Sequence, residues 1–360
     1  MSKYILRRIL LTIPVVLGIL VVTFVIARSI PGDPCRSALG ERATDAVCDA
    51  FNERMGLDKP MIVQLGIYMR EILLRGNFGD SIRYSRPVSQ MIIERLPVTL
   101  ELGFSALFIS ILVGVPMGVI SAVRRNSAVD VSTMIGANIG VSMPVYWLGL
   151  MLAYVFAILL KDTPFWLAPT GRLTAGVIPD PFYQVWGLGL TRGTGIYMLA
   201  DFASNFVFFN ALITGQWNVL VDAFRHMILP AIALSTIPLA IIARITRSSM
   251  LDVLGREYVR AARAKGVAEN LVILKHALRN ALLPVITVIG IQVGTLFAGA
   301  VLTETTFGLS GVGRALFDAI TGRDYPIIQG FTVVVALGYV VVNMLVDISY
   351  AYIDPRIRLK

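Results

Sequence analysis

The stretch from Arg244 to Pro284, RITRSSMLDVLGREYVRAARAKGVAENLVILKHALRNALLP, joins two long apolar segments and carries eight Lys and Arg residues against three acids. Within it, GREYVRAARAKG, Gly255 to Gly266, predicts a short helix. No Pro or Gly interrupts its interior, Ala, Arg and Lys favour the helix, and Gly266 stands where a C-terminal cap belongs. At about 100° per residue, Tyr258, Ala261, Ala262 and Lys265 share one face, while Arg256, Arg260 and Arg263 share the opposite one. The small-residue face with its single aromatic suits close docking against another protein, and the basic face suits phospholipid headgroups. The simpler alternative is positive charge retained on one side of a membrane with no partner.

The apolar segments on either side set the class. Of 360 residues, 56% are hydrophobic and 15% charged, and the mean hydropathy is +0.73; soluble domains carry about a quarter charged residues. The fold class is therefore an all-α polytopic membrane protein. The net charge of +9 is no sign of nucleic-acid binding, because its distribution follows topology. Lys3, Arg7 and Arg8 precede an apolar run too long for a signal peptide and without a small-residue cleavage site, so no cleavage is expected.

Six spanning helices are predicted, at about 9–28, 98–123, 131–160, 227–243, 281–302 and 327–350. Pro14, Pro116, Pro144, Pro230 and Pro238 fall inside these spans and are expected to kink helices around a pathway, although prolines are also ordinary in membrane helices. With the amino terminus inside, the inner segments count +3, +1, +5 in the loop 244–280, and about +1 at the tail. The outer segments 31–96 and 161–226 each balance to zero, and 303–326 is −1. That asymmetry places both termini in the cytoplasm.

The outer segments are large. Residues 31–96 mix nine basic with nine acidic residues and contain the amphipathic run MIVQLGIYMREILLRG, predicting a helical extracytoplasmic cap after the first span. The loop 161–226 includes an apolar run from Ile196 to Gly215. Asp201, Asn205 and Asn210 interrupt it, so it is read as interfacial and not as a seventh span. Long ordered loops usually serve binding, so an extracytoplasmic partner is expected to dock here; their plainer role would be to lid the bundle. Cys35 and Cys48, the only cysteines, both fall in the cap, where a disulfide can persist; two free thiols are the alternative.

Catalytic signatures are missing. No GxxxxGK[ST] loop occurs, so the chain is not expected to bind or hydrolyse ATP, and GLSGVG at Gly308 to Gly313 reads as a turn. His226 and His276 cannot form a clustered metal site, and no Gly-x-Ser-x-Gly surrounds a serine, so neither metal nor cofactor is expected on this chain. Glu101 and Asp347 lie near span ends. The mid-span polar groups are neutral: Asn138, Ser142, Gln292 and Asn343 either line a wet pathway or hydrogen-bond between helices.

The string YVRAARAKG (Tyr258 to Gly266), followed by HALRNALLP (His276 to Pro284), resembles the cytoplasmic loop of the dipeptide and oligopeptide branch of ABC importer permeases. The resemblance covers nearly the whole chain, including IPGDP at Ile30 to Pro34, MGLDKP at Met55 to Pro60 and RDYPIIQG at Arg323 to Gly330. It implies a type I importer-like permease fold. It also implies a loop that docks into an ATP-hydrolysing subunit through Glu257, Tyr258, Arg260, Ala261, Ala262, Lys265 and Gly266, with Arg279, Asn280 and Pro284 supporting it. In the wider importer pattern a glutamate often stands where this chain has Arg260. The partners implied are a second, similar permease, two ATPase subunits that hold ATP and Mg, and an extracytoplasmic binding protein. Dipeptides or short peptides are the implied substrate, with nickel, glutathione or oligosaccharides as alternatives within the branch. A self-contained secondary carrier or channel is the competing class. It would lack the usual mid-membrane ionisable relay and leave the docking helix unexplained.

Overall fold

The computed structural model describes residues 2–29, 33–40 and 42–353. Ile30 to Gly32 of the IPGDP string and the last residues of the expected cytoplasmic tail lie outside the described residues. In chain order the helices are α1 (Ser2–Ser29), α2 (Pro34–Leu39), α3 (Asp45–Met55), α4 (Met61–Arg75), α5 (Val88–Val123), α6 (Ala128–Ser142), α7 (Val145–Ala153), α8 (Phe182–Val185) and α9 (Gly195–Ser204). They continue with α10 (Val207–Thr214), α11 (Trp217–Leu254), α12 (Glu257–Ala264), α13 (Glu269–Leu271), α14 (Arg279–Thr306), α15 (Val312–Gly322) and α16 (Tyr325–Ile353). Two π-helical stretches, Tyr154–Leu159 and Val272–Leu278, follow α7 and α13.

Among the described residues, five helices are long and apolar enough to cross a membrane, or up to seven if each of two bent pairs counts as one span. The expected third span is not a single rod. The helices Ala128–Ser142 and Val145–Leu159 are bent by 100° at Met143 and Pro144. Pro144 has no amide hydrogen to continue the ladder, and its ring drives Met143 into an extended conformation, φ −86° and ψ 131°. The run Ile196 to Gly215 forms two helices, α9 and α10, broken at Asn205 and Phe206. Both α5 and α11 continue well past their apolar windows, to 36 and 38 residues, because nothing in their polar ends breaks the helix.

The chain divides into two compact units. The first comprises Met1–Val98, Pro181–Phe206 and Ser310–Val341. Its core gathers Ala27, Val88, Met91, Val312, Ile327 and Phe331. A Cβ on Gly330 would meet Val88 Cγ1 at 2.7 Å, so only glycine lets α16 sit this close to the start of α5. Asp324 closes the segment before α5 by accepting from Ser81 Oγ at 2.6 Å and Arg83 N at 3.1 Å. Cys35 and Cys48 are joined by a disulfide and buried with Phe51 in a small core of their own. Closing a loop of this length disfavours the unfolded chain by about 3 kcal/mol in the chain-entropy model. The helix α4 buries none of its residues, and Ile62, Leu73 and Leu74 lie exposed along it.

The second unit comprises Thr99–Asp180, Val207–Leu309 and Val342–Lys360. Here α5 crosses α11 on glycine. A Cβ on Gly114 would lie 2.9 Å from Leu239 O, and one on Gly118 would lie 2.5 Å from both Ala243 O and Thr246 Cβ. GVPMG is thus a small-xxx-small contact, the means by which apolar helices approach where lipid offers no hydrophobic gain. Ser110 Oγ adds a hydrogen bond to Ser235 O at 3.0 Å across the same crossing.

Candidate functional site

The helix α11 runs beyond its apolar window and delivers the chain to α12. Arg256, with φ −75° and ψ 149°, opens α12 in extended conformation. Glu257 in the first turn and Arg263 in the last complement the helix dipole. Gly266 takes φ +76°, a left-handed conformation that side-chained residues adopt at a cost; open space surrounds it, so the backbone and not crowding asks for glycine. Its N–H donates to Arg263 O at 2.9 Å and closes the helix.

The faces of α12 differ from the sequence expectation in one respect. Val259 and Ala262, three residues apart, are buried and pack on Val272, with Val253, Leu254 and Val267 around them. Ala262 was expected on the docking face with Tyr258, Ala261 and Lys265, but it seals α12 onto its own loop. It lies on the helix between Tyr258 and Val259, and the β-branched Val259 draws that edge inward. Tyr258, Ala261 and Lys265 stay exposed. The basic face is partly used within the loop: Arg260 Nη2 donates to Gly255 O at 3.2 Å, and Arg263 grips Glu269 through Nε at 3.1 Å and Nη2 at 2.6 Å. That carboxylate holds the Arg263 guanidinium above its usual pKa.

Behind α12 the loop is tied to the long helices. Asn280 Nδ2 donates to Tyr258 Oη and to His276 O, each at 3.0 Å. Arg279 is exposed, and Pro284 lies inside α14 without an amide hydrogen to give. Ala277 and Ala281 pack with Met250 of α11 and Ala122 of α5. Val272 and the π-helical turn thus connect α12 to α11 and α14.

The sequence reading missed an ion pair beside this loop. Arg247 binds Asp130 with two parallel contacts, Nε to Oδ1 at 2.7 Å and Nη2 to Oδ2 at 2.8 Å. Asp130 is buried and also accepts from Ser121 Oγ and from Asn126 N–H at 2.9 Å. Arg247, counted as loop charge, is thus a clamp between α6 and α11. The available signal was Ser127 and Asp130 in S-x-x-D spacing, since Ser127 Oγ accepts from Asp130 N–H and starts α6.

The neutral polar residues do not gather as one set. Asn138 Oδ1 accepts from Arg244 Nη2 at 3.0 Å, and Ser142 Oγ turns back to Asn138 O. Gln292 is buried, and its Oε1 accepts from Thr295 Oγ1 at 2.7 Å; Asn343 is half-buried. Glu101, read as a group near a span end, is an anchor: Arg172 Nη2 reaches it at 2.6 Å and Phe208 N–H at 2.9 Å. Glu304, which the sequence did not single out, is fully buried and accepts from Thr99 Oγ1 at 2.6 Å. Asp33 lies beside Cys35 and Cys48, but their sulfurs are used in the disulfide and offer no thiolate to a metal.

Two family descriptions match consecutive parts of the chain. "Binding-protein-dependent transport system inner membrane component" matches residues 114–359, and "Binding-prot-dependent transport system membrane comp, N-term" matches residues 1–103. A dipeptide transport system permease protein of Alkalihalophilus pseudofirmus is 44% identical over 99% of this chain and 100% of its own length. The dipeptide transport system permease protein of Escherichia coli K12 is 44% identical over the full length of both. An oligopeptide transport system permease protein of Bacillus subtilis is 37% identical over 99% of this chain and 100% of its own. With its long apolar helices, this chain is a multi-pass inner-membrane protein, and it belongs to the family of binding-protein-dependent transport system inner membrane components.

Proposed function

We propose that this chain is a membrane-spanning permease subunit of an ATP-binding-cassette importer for dipeptides or short peptides. End-to-end similarity to permeases named for dipeptide transport carries the substrate reading. The chain crosses the membrane six times with both termini in the cytoplasm, and the cap 31–96 and loop 161–226 face outward to receive a binding protein. A second, similar permease completes the pathway. Two partner ATPase subunits hold ATP and Mg, and this chain does no catalysis of its own.

In this reading α12 is the contact with an ATPase subunit. Tyr258, Ala261 and Lys265 form the exposed docking face, and Gly266 and Asn280 hold it in place. Closure of the ATPase pair on ATP drags α12; α11 follows because Val272, Ala277 and Ala281 are packed against it, and α14 follows because it continues directly from the π-helical turn. Bulk uptake tests the reading. Proteoliposomes carrying the whole complex should accumulate labelled dipeptide only with ATP inside and binding protein outside. Accumulation driven by a proton or sodium gradient without ATP would assign the chain to the secondary carriers instead.

A further inference from the structure

The helix α4 of the first unit is amphipathic, and it is turned the opposite way from a helix on a water-facing surface. Between its terminal residues, 100° steps divide the side chains into two arcs. Gln64, Leu65, Tyr68, Met69, Glu71 and Ile72 are half-buried and face the protein. The polar ones are used there or at the helix end. Gln64 Nε2 donates to Leu57 O at 3.1 Å and to Lys59 O at 2.7 Å, and Glu71 accepts from Arg75 Nη1 at 3.0 Å. The outward arc, about 140° wide, holds Ile62, Val63, Ile67, Leu73 and Leu74 with Gly66 and Arg70, and no acid. Ile62 and Leu74 are each 77% exposed.

Large apolar side chains bunched on one exposed face mark a contact with lipid or with protein. Three observations favour lipid. The first is depth. The rings of Tyr68 and Phe24 lie 5.5 Å apart, so α4 packs near the end of α1. In the topology proposed above the first span ends at Arg28, which puts Phe24 about 6 Å inside the outer boundary of the hydrocarbon. There headgroups give way to acyl chains. The second is the neighbourhood: at the same level α1 itself exposes Val22, Val25 and Ile26, as a lipid-facing span does. The third is charge. Arg70 stands exposed in the middle of the apolar arc, which offers it no acid. Phospholipid phosphates supply the anion that a guanidinium binds best.

We propose that α4 is an interfacial helix, its outward arc set into the extracytoplasmic leaflet and Arg70 on phospholipid phosphates. The apolar side chains sink below the headgroups, and Arg70 reaches back up to them along its stem. A second protein packed on this arc is the alternative. Helices pack closely in lipid on small residues, and the arc offers Gly66 alone; such a partner would also have to bring an anion to Arg70. The consequence is a cap fixed to the bilayer at a second place besides α1. Through Gln64, α4 holds the segment at Leu57 and Lys59 that leads back to the disulfide-bonded helices α2 and α3. The leaflet thereby sets the height of the cap above the membrane.

The test uses the full-length chain, purified with its partner subunits and reconstituted in phospholipid nanodiscs. Ile62→Cys, Ile67→Cys and Leu74→Cys, made singly at exposed positions, carry nitroxide labels. The native cysteines are joined in the disulfide, and wild type treated alike gives the background. Collisions with oxygen, which partitions into lipid, are compared with collisions with a water-soluble nickel chelate. All three labels should favour oxygen and lie about 5–10 Å below the phosphates. Arg70→Glu should draw them toward water, and Arg70→Lys should leave their depth unchanged. Labels reached freely by the chelate would put the face in water, and labels reached by neither reagent would put it under protein. Either result overturns the proposal, as do depths that Arg70→Glu leaves unmoved. Neither ATP, peptide nor binding protein enters the test, so its failure leaves the importer reading untouched.

Discussion

At the scale of single residues, the charges that matter most are those taken out of water. Glu101 is buried and held by Arg172, so Arg172→Met strands a carboxylate and should cost about 3–5 kcal/mol. The double variant Glu101→Gln with Arg172→Met should recover most of that loss. Thermal aggregation of the membrane-extracted protein reads both, and a double variant no better than the single one would contradict the account. The two alanines of α12 separate fold from docking. Ala261→Glu places its charge in water and should leave the aggregation midpoint unchanged, whereas Ala262→Glu buries a carboxylate against Val272 and should destabilise by about 3 kcal/mol. Equal midpoints for the two variants would count against the packing described here. This distinction was not legible in the sequence, where 100° steps place Ala262 with Tyr258. Only the packing partner on the far side of the loop decides which edge of a short helix turns inward.

At the scale of elements, composition spoke clearly about apolar windows and poorly about where helices end or bend. Hydropathy marks what lipid tolerates, so α5 and α11 outrun their windows on polar turns that carry no hydropathy signal. Pro144 was legible as a kink, but not as a 100° bend, because the angle depends on what each half packs against. The short helix before Gly266 could be read from residue type, while Cys35 and Cys48 left both a disulfide and two free thiols open until the structure joined them. The glycine crossing was also in the sequence, as Gly114 and Gly118 four residues apart. Gly118→Leu should force α5 and α11 apart and cost about 1–3 kcal/mol or more, seen as loss of folded permease from the membrane fraction. Normal levels of folded protein would show that the helices approach less closely than described.

At the scale of the whole molecule, the central claim is that a loop held together by Val259, Ala262 and Val272 presents a separate outward face to a partner ATPase. Gly266→Val should keep the protein in the membrane but tilt that face, since its φ of +76° costs a β-branched residue about 1–2 kcal/mol, all of it within the loop. Uptake should fall while expression holds; unchanged uptake would mean that α12 tolerates a displaced cap. The most direct measurement is ATP hydrolysis by the reconstituted complex, wild type against Ala261→Glu, with and without dipeptide-loaded binding protein. Coupling through the exposed face of α12 predicts stimulation in the wild type that is lost in the variant, at equal protein level and equal aggregation midpoint. Full stimulation in the variant, or wild-type complexes that recruit no ATPase, would contradict it.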